Sequence, residues 1–371
     1  MTSSTANPWT AGMVEGRPLT GPRAVHFDIA NGCNTRCVTC WHHSPHLAAE
    51  HVPTAAWKAR ELSFETWRRV FDQARALGGV EQIVLSGMGD PTLNDALYDM
   101  VAYAHRAGVG VTIITNLLRL DVDRVLASEG ELNVLASICG VTESVWQDFH
   151  AHPTPSGFQR VLGRLEAMKN RGFEPKHVQV INSVNVHELP DMVRFARRYP
   201  TRRINFKLAS LSRGTEATAL SAATAERLVD EWIPRARGMA TRYGIDTDLD
   251  DFAAQVTPGA LSTAPIQETG CFMGYVYARV TVDLELLYCC NTAVSVGHLD
   301  DSVGFGALWY GPTHQGYRDQ LRAGRYFAGC DQCGKFKQNA KWHRKLRSSL
   351  GDQGLARLMG PGEPMGRGEI L

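Results

Sequence analysis

The stretch Cys33-Asn34-Thr35-Arg36-Cys37-Val38-Thr39-Cys40 places three thiols within eight residues. It follows Ala24-Val25-His26-Phe27-Asp28-Ile29, in which apolar and polar residues alternate as they do in a strand. The cysteines are therefore predicted on a loop that leaves the C-terminal end of a strand, where parallel α/β folds gather ligands and catalytic groups. Thiolates are soft ligands that select zinc or iron–sulfur clusters. Three of them leave one metal of a four-iron cluster without a protein ligand, and that vacancy can bind a substrate or a cofactor.

The spacing C-x3-C-x2-C after a first strand resembles that of the radical S-adenosylmethionine (radical SAM) superfamily. The resemblance implies that the open iron binds the amino and carboxylate groups of S-adenosylmethionine (SAM). It also implies that an electron from the cluster cleaves SAM to a 5′-deoxyadenosyl radical, which takes a hydrogen atom from the substrate. The alternative is a structural zinc knuckle whose fourth ligand comes from His42, His43 or His46. Thr39 stands where the family often has an aromatic residue, and Trp41 follows the third cysteine instead.

Composition is typical of a globular protein. The 371 residues suffice for two or three domains, with 44% hydrophobic and 21% charged residues. A formal net charge of +1 argues against binding nucleic acid through bulk charge. No apolar run approaches the ~18 residues of a membrane helix, and residues 1–22 do not read as a secretion signal. Nine cysteines without a leader indicate a reducing, cytoplasmic location and metal ligation.

The order of strand-like and helix-like segments predicts an α/β fold. Six strand–helix units over residues 23–245 fit the partial (βα)6 TIM-like barrel that the resemblance implies. A flexible arm is expected over residues 1–22 and a linker over 246–270. A small C-terminal β-hairpin/helix domain for an auxiliary cluster is expected over 271–345, and a disordered tail over 346–371.

Polar residues at strand ends are candidates for binding the cofactor. After the buried strand 82–86 comes Gly87-Met88-Gly89-Asp90, where glycines let the backbone approach a ligand and Asp90 offers an acceptor for an ammonium group. Behind the cysteine loop, this segment resembles the family's Gly-Gly-Glu motif, which binds the methionine amino group of SAM. The resemblance and the strand-end positions add five further cofactor-binding candidates: Thr115, Asn116, Ser137, Asn182 and Lys207.

Cys139 is a candidate catalytic residue. It stands where the family commonly has the aspartate of Ser-x-Asp-Gly, on a strand predicted over Asn133–Gly140. Side chains alternate along a strand, so Cys139 is expected to share the barrel-facing side with Ser137. Two interpretations stay open. Cys139 is either a small buried hydrophobe or a hydrogen-atom donor close to where the radical forms.

A second group of cysteines occurs late in the chain. Cys271 precedes the alternating run Tyr275–Cys290, which predicts a β-hairpin, and a C-x2-C pair follows at Cys330 and Cys333. The arrangement resembles the twitch half of the SPASM extension of radical SAM enzymes, which binds one auxiliary four-iron cluster. A zinc site is the alternative, although a zinc ribbon predicts two C-x2-C knuckles. Leu284 replaces the glycine that the family has in the hairpin turn.

The twitch resemblance implies four ligands for the auxiliary cluster, namely Cys271, Cys289, Cys330 and Cys333. Cys290 competes with Cys289, because adjacent residues on a strand point in opposite directions.

The resemblance implies an enzyme that uses SAM and two [4Fe–4S] clusters, with a flavodoxin- or ferredoxin-type electron donor and no nucleic-acid or membrane partner. The favoured reaction is oxidation of an alcohol to a ketone in a sugar, aminocyclitol or nucleoside of natural-product (antibiotic) biosynthesis. A single auxiliary cluster and the lack of a peptide-binding domain ahead of the cysteine loop resemble enzymes of that kind. The alternatives are a radical epimerase that uses Cys139, a redox-neutral decarboxylase or elimination enzyme, a peptide-modifying enzyme, and an electron-transfer or scaffold protein.

Overall fold

Strands and helices alternate in the computed structural model, which describes residues 7–152, 154, 156–256, 264 and 266–359. The strands are β1 (Ala24–Asp28), β2 (Gln82–Ser86), β3 (Gly110–Thr115), β4 (Leu132–Ser137), β5 (Lys176–Ile181), β6 (Ile204–Leu208), β7 (Tyr277–Val280), β8 (Glu285–Leu287) and β9 (Ser295–His298). The helices are α1 (Pro8–Glu15), α2 (Ala55–Lys58), α3 (Phe64–Ala76), α4 (Leu97–Arg106), α5 (Val122–Leu126), α6 (Glu143–His150), α7 (Gly157–Asn170), α8 (Leu189–Arg198), α9 (Ala222–Arg227), α10 (Ile233–Tyr243), α11 (Leu249–Ala253), α12 (Ile266–Thr269), α13 (Phe305–Trp309), α14 (Pro312–Arg322) and α15 (Phe336–Met359).

Side-chain hydrogen bonds cap the start of several helices. The Ser63 hydroxyl accepts a hydrogen bond from the Thr66 amide at 3.2 Å, which satisfies a donor at the start of α3. Apolar residues at helical spacing then bury one face of α3, namely Trp67, Val70, Phe71 and Ala74. The Ser63 cap and this apolar spacing predict a helix from the sequence alone, and α3 confirms it. Thr142 caps α6, whose last turn carries part of the candidate site.

The larger of two compact units takes its described residues from Asp28–Leu62 and Leu85–Thr263. Its strands follow the order β6-β5-β4-β3, with the last residues of β2 and β1 next. The pairs β3–β4, β4–β5 and β5–β6 are parallel. A core that includes Phe206, Trp232 and Phe252 is buried against α8, α10 and α11. This open parallel sheet with its connecting helices is the predicted partial (βα)6 TIM-like barrel.

The other unit takes its described residues from Met1–Phe27, Ser63–Val84 and Ala264–Leu371. In it β1 pairs in parallel with β7, and β7, β8 and β9 pair in antiparallel order. Its apolar core includes Trp9, Tyr275 and Leu346, and Cys271 packs against it. The predicted C-terminal hairpin and helices are thus present. The two units interleave along the chain, because β1 and β2 each begin in this unit and end in the other, whereas the predicted domains are consecutive ranges.

The N-terminal segment differs from the flexible arm expected over residues 1–22. Residues 8–15 form α1, because Pro8 suits the first helical turn and the Asn7 side chain accepts a hydrogen bond from the Thr10 amide at 3.2 Å. Trp9 and Met13 are buried, so this helix belongs to the packed structure.

The expected linker and tail fall only partly on described residues. Residues 257–263 and 265 of the linker lie outside them, and so do residues 1–6 of the arm and 360–371 of the tail. The described part of the tail, up to Met359, is helical and belongs to α15, where the sequence predicts disorder. Among the helices that the structure describes, none is long and apolar enough to span a membrane.

Candidate active site

The three cysteines at 33, 37 and 40 lie together on the loop that follows β1. The Sγ atoms of Cys33 and Cys37 are each 3.4 Å from the Thr35 hydroxyl. The Asn116 side-chain nitrogen lies 3.5 Å from that hydroxyl and donates to Asn34 Oδ1 at 2.7 Å. The end of β3 therefore fixes the middle of the cysteine loop.

The C-terminal end of α6 holds the same loop through the backbone. The Arg36 amide donates to the His150 carbonyl at 2.9 Å, and the Val38 amide donates to the Phe149 carbonyl at 2.9 Å. These carbonyls belong to the last turn of the helix, where no amide within the helix is available to them. The loop amides thus satisfy the free carbonyls at the end of the helix, and Cys37 lies between the two residues whose amides donate.

His150 adds a side-chain contact at this point. Its Nδ1 lies 3.2 Å from Cys37 Sγ, and its Nε2 lies 3.0 Å from the Ile138 carbonyl oxygen. The ring is 1% exposed, and while Cys37 is a thiol, burial lowers the pKa of His150 to about 4. The imidazole is therefore part of the immediate surroundings of one candidate metal ligand.

The cysteine loop is a desolvated thiol site. Burial raises the pKa of Cys33 to about 11, and it raises the pKa values of Cys37 and Cys40 as well. Thiolates form in such a place when a metal ion replaces the protons. Within the described ranges, no three His, Cys, Asp or Glu side chains converge on a single metal ion. Three half-buried thiols on one short loop fit a four-iron cluster, in which each thiolate binds a different iron.

The two glycines of the Gly87–Asp90 segment are needed for packing against the cysteine loop. A Cβ at Gly87 would lie 2.0 Å from the Ala30 carbonyl oxygen, and a Cβ at Gly89 would lie 1.7 Å from the Gly32 carbonyl oxygen. The Gly89 and Asp90 amides donate to the same two carbonyls at 3.1 and 2.9 Å. The sequence predicts that these glycines let the backbone approach a ligand. In the structure they instead allow close contact between the backbones of the two segments.

Asp90 is committed to hydrogen bonds within the protein. Its Oδ1 accepts from the Thr92 amide at 3.0 Å, from the Thr92 hydroxyl at 2.5 Å and from the Thr115 hydroxyl at 3.0 Å. Its Oδ2 accepts from the Thr115 hydroxyl at 2.9 Å and from the Asn116 amide at 2.8 Å. Asp90 is only 4% exposed. Asp90 thus binds two other predicted cofactor-binding residues, Thr115 and Asn116, and these contacts give it a role in ordering the site.

The other predicted cofactor-binding residues occupy separate strand ends. Ser137 is the half-buried last residue of β4, and Lys207 is an exposed residue of β6. Asn182 follows β5, which ends at Ile181. Its Oδ1 accepts from the Val184 amide at 2.8 Å, so Asn182 shapes the turn after the strand. Cofactor binding by these three residues stays a prediction.

Cys139 lies beyond the end of β4, in a left-handed backbone conformation with φ of +52°. The predicted shared strand face with Ser137 is therefore wrong, because the strand stops two residues earlier. The Cys139 thiol lies 3.7 Å from the Val178 carbonyl oxygen and accepts from the Val180 amide at 3.4 Å. It is 1% exposed, packs with Val38, and has a pKa that burial raises to about 12. These contacts favour the packing role, and the donor role stays a prediction.

The second group of thiols gathers in the other unit. Burial raises the pKa of Cys271, and negative charge on the neighbouring Cys330 and Cys290 raises it further. A hydrogen bond with Cys290 and burial raise the pKa of Cys333, and negative charge on Cys290 and Cys271 acts in the same direction. Hydrogen bonds with Cys289 and Cys333 hold the pKa of Cys290 well below its usual range, and the positive charges of Lys335 and Arg279 act in the same direction. Cys290 is therefore the member that contacts most of the others.

Cys289 and Cys290 lie just beyond β8, which ends at Leu287, and the β7–β8 hairpin before them has the turn that the family's glycine would allow. Leu284 has φ of +64°, in the left-handed region that favours glycine. Its amide donates to the Thr281 carbonyl at 3.0 Å and closes the turn between β7 and β8. The substitution of leucine has thus kept the turn, with a strained backbone at this residue.

Sequence reasoning missed two residues of the first thiol site. Thr35 lies inside the quoted stretch, and its position between Cys33 and Cys37 was a usable signal. His150 lies 110 residues after Cys40, in a segment without a motif, so only the fold brings it to Cys37.

Comparison with known proteins gives a family match over the site-bearing half of the chain. A family model described as the Radical SAM superfamily matches residues 28–214. Among solved structures, Streptococcus suis SuiB bound to S-adenosylmethionine has a TM-score of 0.65 at 15% identity, over 88% of this chain and 74% of that one. That likeness shows the fold.

Three curated proteins are similar in sequence. The PqqA peptide cyclase of Ruegeria pomeroyi is 29% identical over 88% of this chain and 84% of its own length. The mycofactocin maturase MftC of Mycolicibacterium smegmatis is 26% identical over 86% of this chain and 77% of its own. The AdoMet-dependent heme synthase of Methanosarcina barkeri is 25% identical over 56% of this chain. The match covers 57% of that protein's own length.

Proposed function

Because this chain belongs to the Radical SAM superfamily, with SAM and a [4Fe–4S] cluster as its cofactors, we propose that it is an enzyme that modifies a peptide. A cluster bound here would supply the one-electron reduction of SAM, the chemistry that starts hydrogen-atom abstraction from a substrate. Cys33, Cys37 and Cys40 are the proposed cluster ligands, since three half-buried thiols on one loop would leave one iron open for SAM.

The similarity to the PqqA peptide cyclase supports a peptide substrate. It extends over 88% of this chain, well past the barrel and into the segment with the second group of thiols. The sequence alone favoured a hydroxyl-rich small molecule, but no similarity of comparable length points to a sugar or aminocyclitol enzyme among the relatives reported above. The peptide alternative is therefore preferred. Oxidation, epimerisation and carbon–carbon bond formation on that peptide each start with the same hydrogen abstraction.

The residues around the cluster loop position the reaction. The Asp90 carboxylate binds Thr115 and Asn116, and Asn116 in turn binds the loop at Asn34 and Thr35. This chain of hydrogen bonds links the ends of β2 and β3 to the thiols. We propose that it holds SAM's binding groups and the open iron in fixed relation, because small displacements at a reacting centre cost large factors in rate.

We propose that the second group of thiols binds an auxiliary four-iron cluster that accepts an electron from the substrate. The ligand set is Cys271, Cys330, Cys333 and one of the adjacent pair. The contacts of Cys290 with both Cys289 and Cys333 support Cys290, in place of the predicted Cys289. Lys335 and Arg279 would offset the negative charge of a cluster held here. A flavodoxin- or ferredoxin-type donor and a cytoplasmic location remain predictions.

The first test is anaerobic reconstitution of the full chain with iron and sulfide. About eight irons are expected, falling to about four in a Cys33/Cys37/Cys40→Ala triple variant and in a Cys330/Cys333→Ala double variant. With SAM and dithionite, the parent and the double variant should form 5′-deoxyadenosine, and the triple variant should not. Loading of iron without any 5′-deoxyadenosine would sink the enzymatic proposal.

The substrate class is tested separately, with an equimolar library of synthetic peptides and a matched panel of sugars and aminocyclitols. Peptides should raise the rate of 5′-deoxyadenosine formation and acquire a mass change. Stimulation by the sugar panel alone would return the substrate to the small-molecule class and leave the radical SAM chemistry in place.

A further inference from the structure

The start of α15 is joined to Cys333, one of the late thiols. The helix begins at Phe336, whose amide donates to the Cys333 carbonyl at 3.2 Å. It continues until Gly351, where a φ of +69° interrupts the helical backbone. Residues 336–350 thus form one helical segment that begins at the second group of thiols.

Asn339 joins the same helix to Cys271. Asn339 is fully buried, and its side chain accepts from the Phe272 amide at 2.7 Å and donates to the Gly270 carbonyl. Cys271 lies between these two bonded residues. Together with the bond at Cys333, these contacts hold α15 against two of the proposed ligands of the auxiliary cluster.

The face of α15 opposite Asn339 is cationic. Residues 332–351 contain six Lys and Arg residues and no Asp or Glu, although the whole chain has a net charge of only +1. At 3.6 residues per turn, four of the six fall on the side of the helix away from the buried Asn339 and Leu346. This cationic stripe consists of Lys337, Lys341, Arg344 and Lys345. The last three are exposed, and all four belong to the unit that carries the second group of thiols.

The exposed members of the cationic stripe keep their charges for a partner. In the part of the chain that the structure describes, no acidic side chain forms a salt bridge with Lys341, Arg344 or Lys345. The salt bridge within α15 joins Arg347 to Asp352 instead. Because surface charges without an internal partner attract the opposite charge from solution, this face fits an acidic protein.

The proposed auxiliary cluster needs a route by which an electron leaves. Oxidation of the substrate radical would place one electron on that cluster, and an oxidised carrier must take this electron before the next turnover. An α-helix with its side chains is about 10–12 Å across. A carrier on the cationic stripe would therefore be separated from the contacts at Cys271 and Cys333 by about one helix, a distance over which electrons tunnel in proteins.

We propose that the cationic stripe of α15 is the docking surface for an acidic one-electron carrier protein of the flavodoxin or ferredoxin class, which takes the electron from the auxiliary cluster. The inference rests on the proposed function, because it requires that cluster. Electron-transfer complexes bury little surface, and complementary charge sets their rate of association. An acidic segment of a substrate peptide would have no need to lie on a helix that is bonded to the late thiols.

Two triple variants separate the cationic stripe from the overall charge of the chain. The stripe variant carries Lys341→Gln, Arg344→Gln and Lys345→Gln. These side chains face solvent and glutamine forms helices about as well as lysine and arginine, so the iron content should stay that of the parent. The control variant removes the same charge from exposed positions of α4, α8 and α10, with Arg106→Gln, Arg198→Gln and Arg242→Gln.

The measurement is the affinity of the reconstituted full chain for two acidic carriers, a plant-type [2Fe–2S] ferredoxin and a flavodoxin, by anaerobic calorimetry at low ionic strength. The stripe variant should bind them about 3- to 150-fold more weakly, the loss expected for three exposed ion pairs. The control variant should bind as the parent does. At about 1 M salt the parent and the stripe variant should converge, because surface charges are then screened. Carbodiimide, which joins carboxylates to lysines in contact, should link the carriers to Lys337, Lys341 or Lys345.

The outcomes distinguish this inference from the function on which it rests. Equal affinities of the parent and the stripe variant overturn the inference, and so do equal losses in the stripe and control variants. Failure of both carriers to bind the parent also overturns it, even if a glutamate-rich peptide binds the stripe. The proposed function fails separately if the parent forms no 5′-deoxyadenosine or loads iron at the first group of thiols alone, whatever the stripe binds.

Discussion

Replacing Asp90 with asparagine tests whether its carboxylate orders the site or binds the cofactor directly. Both of its oxygens accept hydrogen bonds from the protein, including the backbone amides of Thr92 and Asn116 at 3.0 and 2.8 Å. An asparagine offers a single oxygen, so one of these two buried amides must lose its acceptor and face an NH2 group. The substitution therefore weakens the link between the ends of β2 and β3 even without a cofactor.

The size of the effect follows from that one lost bond. A hydrogen bond to a charged group contributes about 1.5–3 kcal/mol. At about tenfold per 1.4 kcal/mol, the affected amide should exchange its hydrogen about 10- to 150-fold faster with solvent. Hydrogen–deuterium exchange with mass spectrometry on the metal-free protein measures this in peptides that cover residues 86–96 and 112–120.

Asp99→Asn is the control for the loss of one negative charge. Asp99 pairs with Arg124 at 3.3 Å, and its side chain is 66% exposed, so exchange in the two peptides should be unchanged. If Asp90→Asn exchanges like the parent and yet binds SAM more weakly, then Asp90 is a direct ligand and the structural argument is wrong.

Three further predictions concern thiols and a buried imidazole. Cys290→Ala should lose about four irons while Cys289→Ala keeps about eight, and the reverse iron contents would restore Cys289 as the ligand. Cys139→Ala should retain iron, SAM cleavage and product, because its thiol is bonded to the β5 backbone; loss of product alone would restore the donor role. Burial lowers the pKa of His177 from 6.5 to about 3, so below pH 6.5 the unfolded chain binds a proton that the native state does not. His177 should therefore account for about 2 kcal/mol of the unfolding free energy that the parent loses between pH 7.5 and 5, and His177→Leu should lose less than the parent by that amount in urea titrations; equal losses would contradict the shift.

The sequence carried the parts of the fold that depend on local pattern. Ser63 and the apolar spacing after it predict α3, and the cysteine spacing after β1 predicts the position of the first thiol site. These signals are short-range, because a cap or a metal loop is encoded within a few residues. The alternation around Leu284 likewise predicts the hairpin of β7 and β8.

The rest depends on contacts between residues that are distant in sequence. The hydrogen bonds from Thr115 and Asn116 to the Asp90 carboxylate form because the fold brings the end of β3 next to the Gly87–Asp90 segment. The sequence alone does not predict that proximity. The end of β4 before Cys139 reflects a left-handed residue that strand propensity does not anticipate. The helix over residues 8–15 is stabilised by the burial of Trp9 in an apolar core. The polar, glycine-rich sequence of this segment does not predict that burial.

The two helix carbonyls of Phe149 and His150 hold the cysteine loop through backbone hydrogen bonds alone. Fixing the backbone of an eight-residue loop costs on the order of 8–16 kcal/mol, and these bonds to a folded helix offset part of that cost. Iron and sulfide therefore bind to a loop whose backbone is already held in place, so ordering the loop lowers their binding free energy only a little. A protein bleached by oxygen should accordingly remain folded at this loop and accept a new cluster without passing through denaturation.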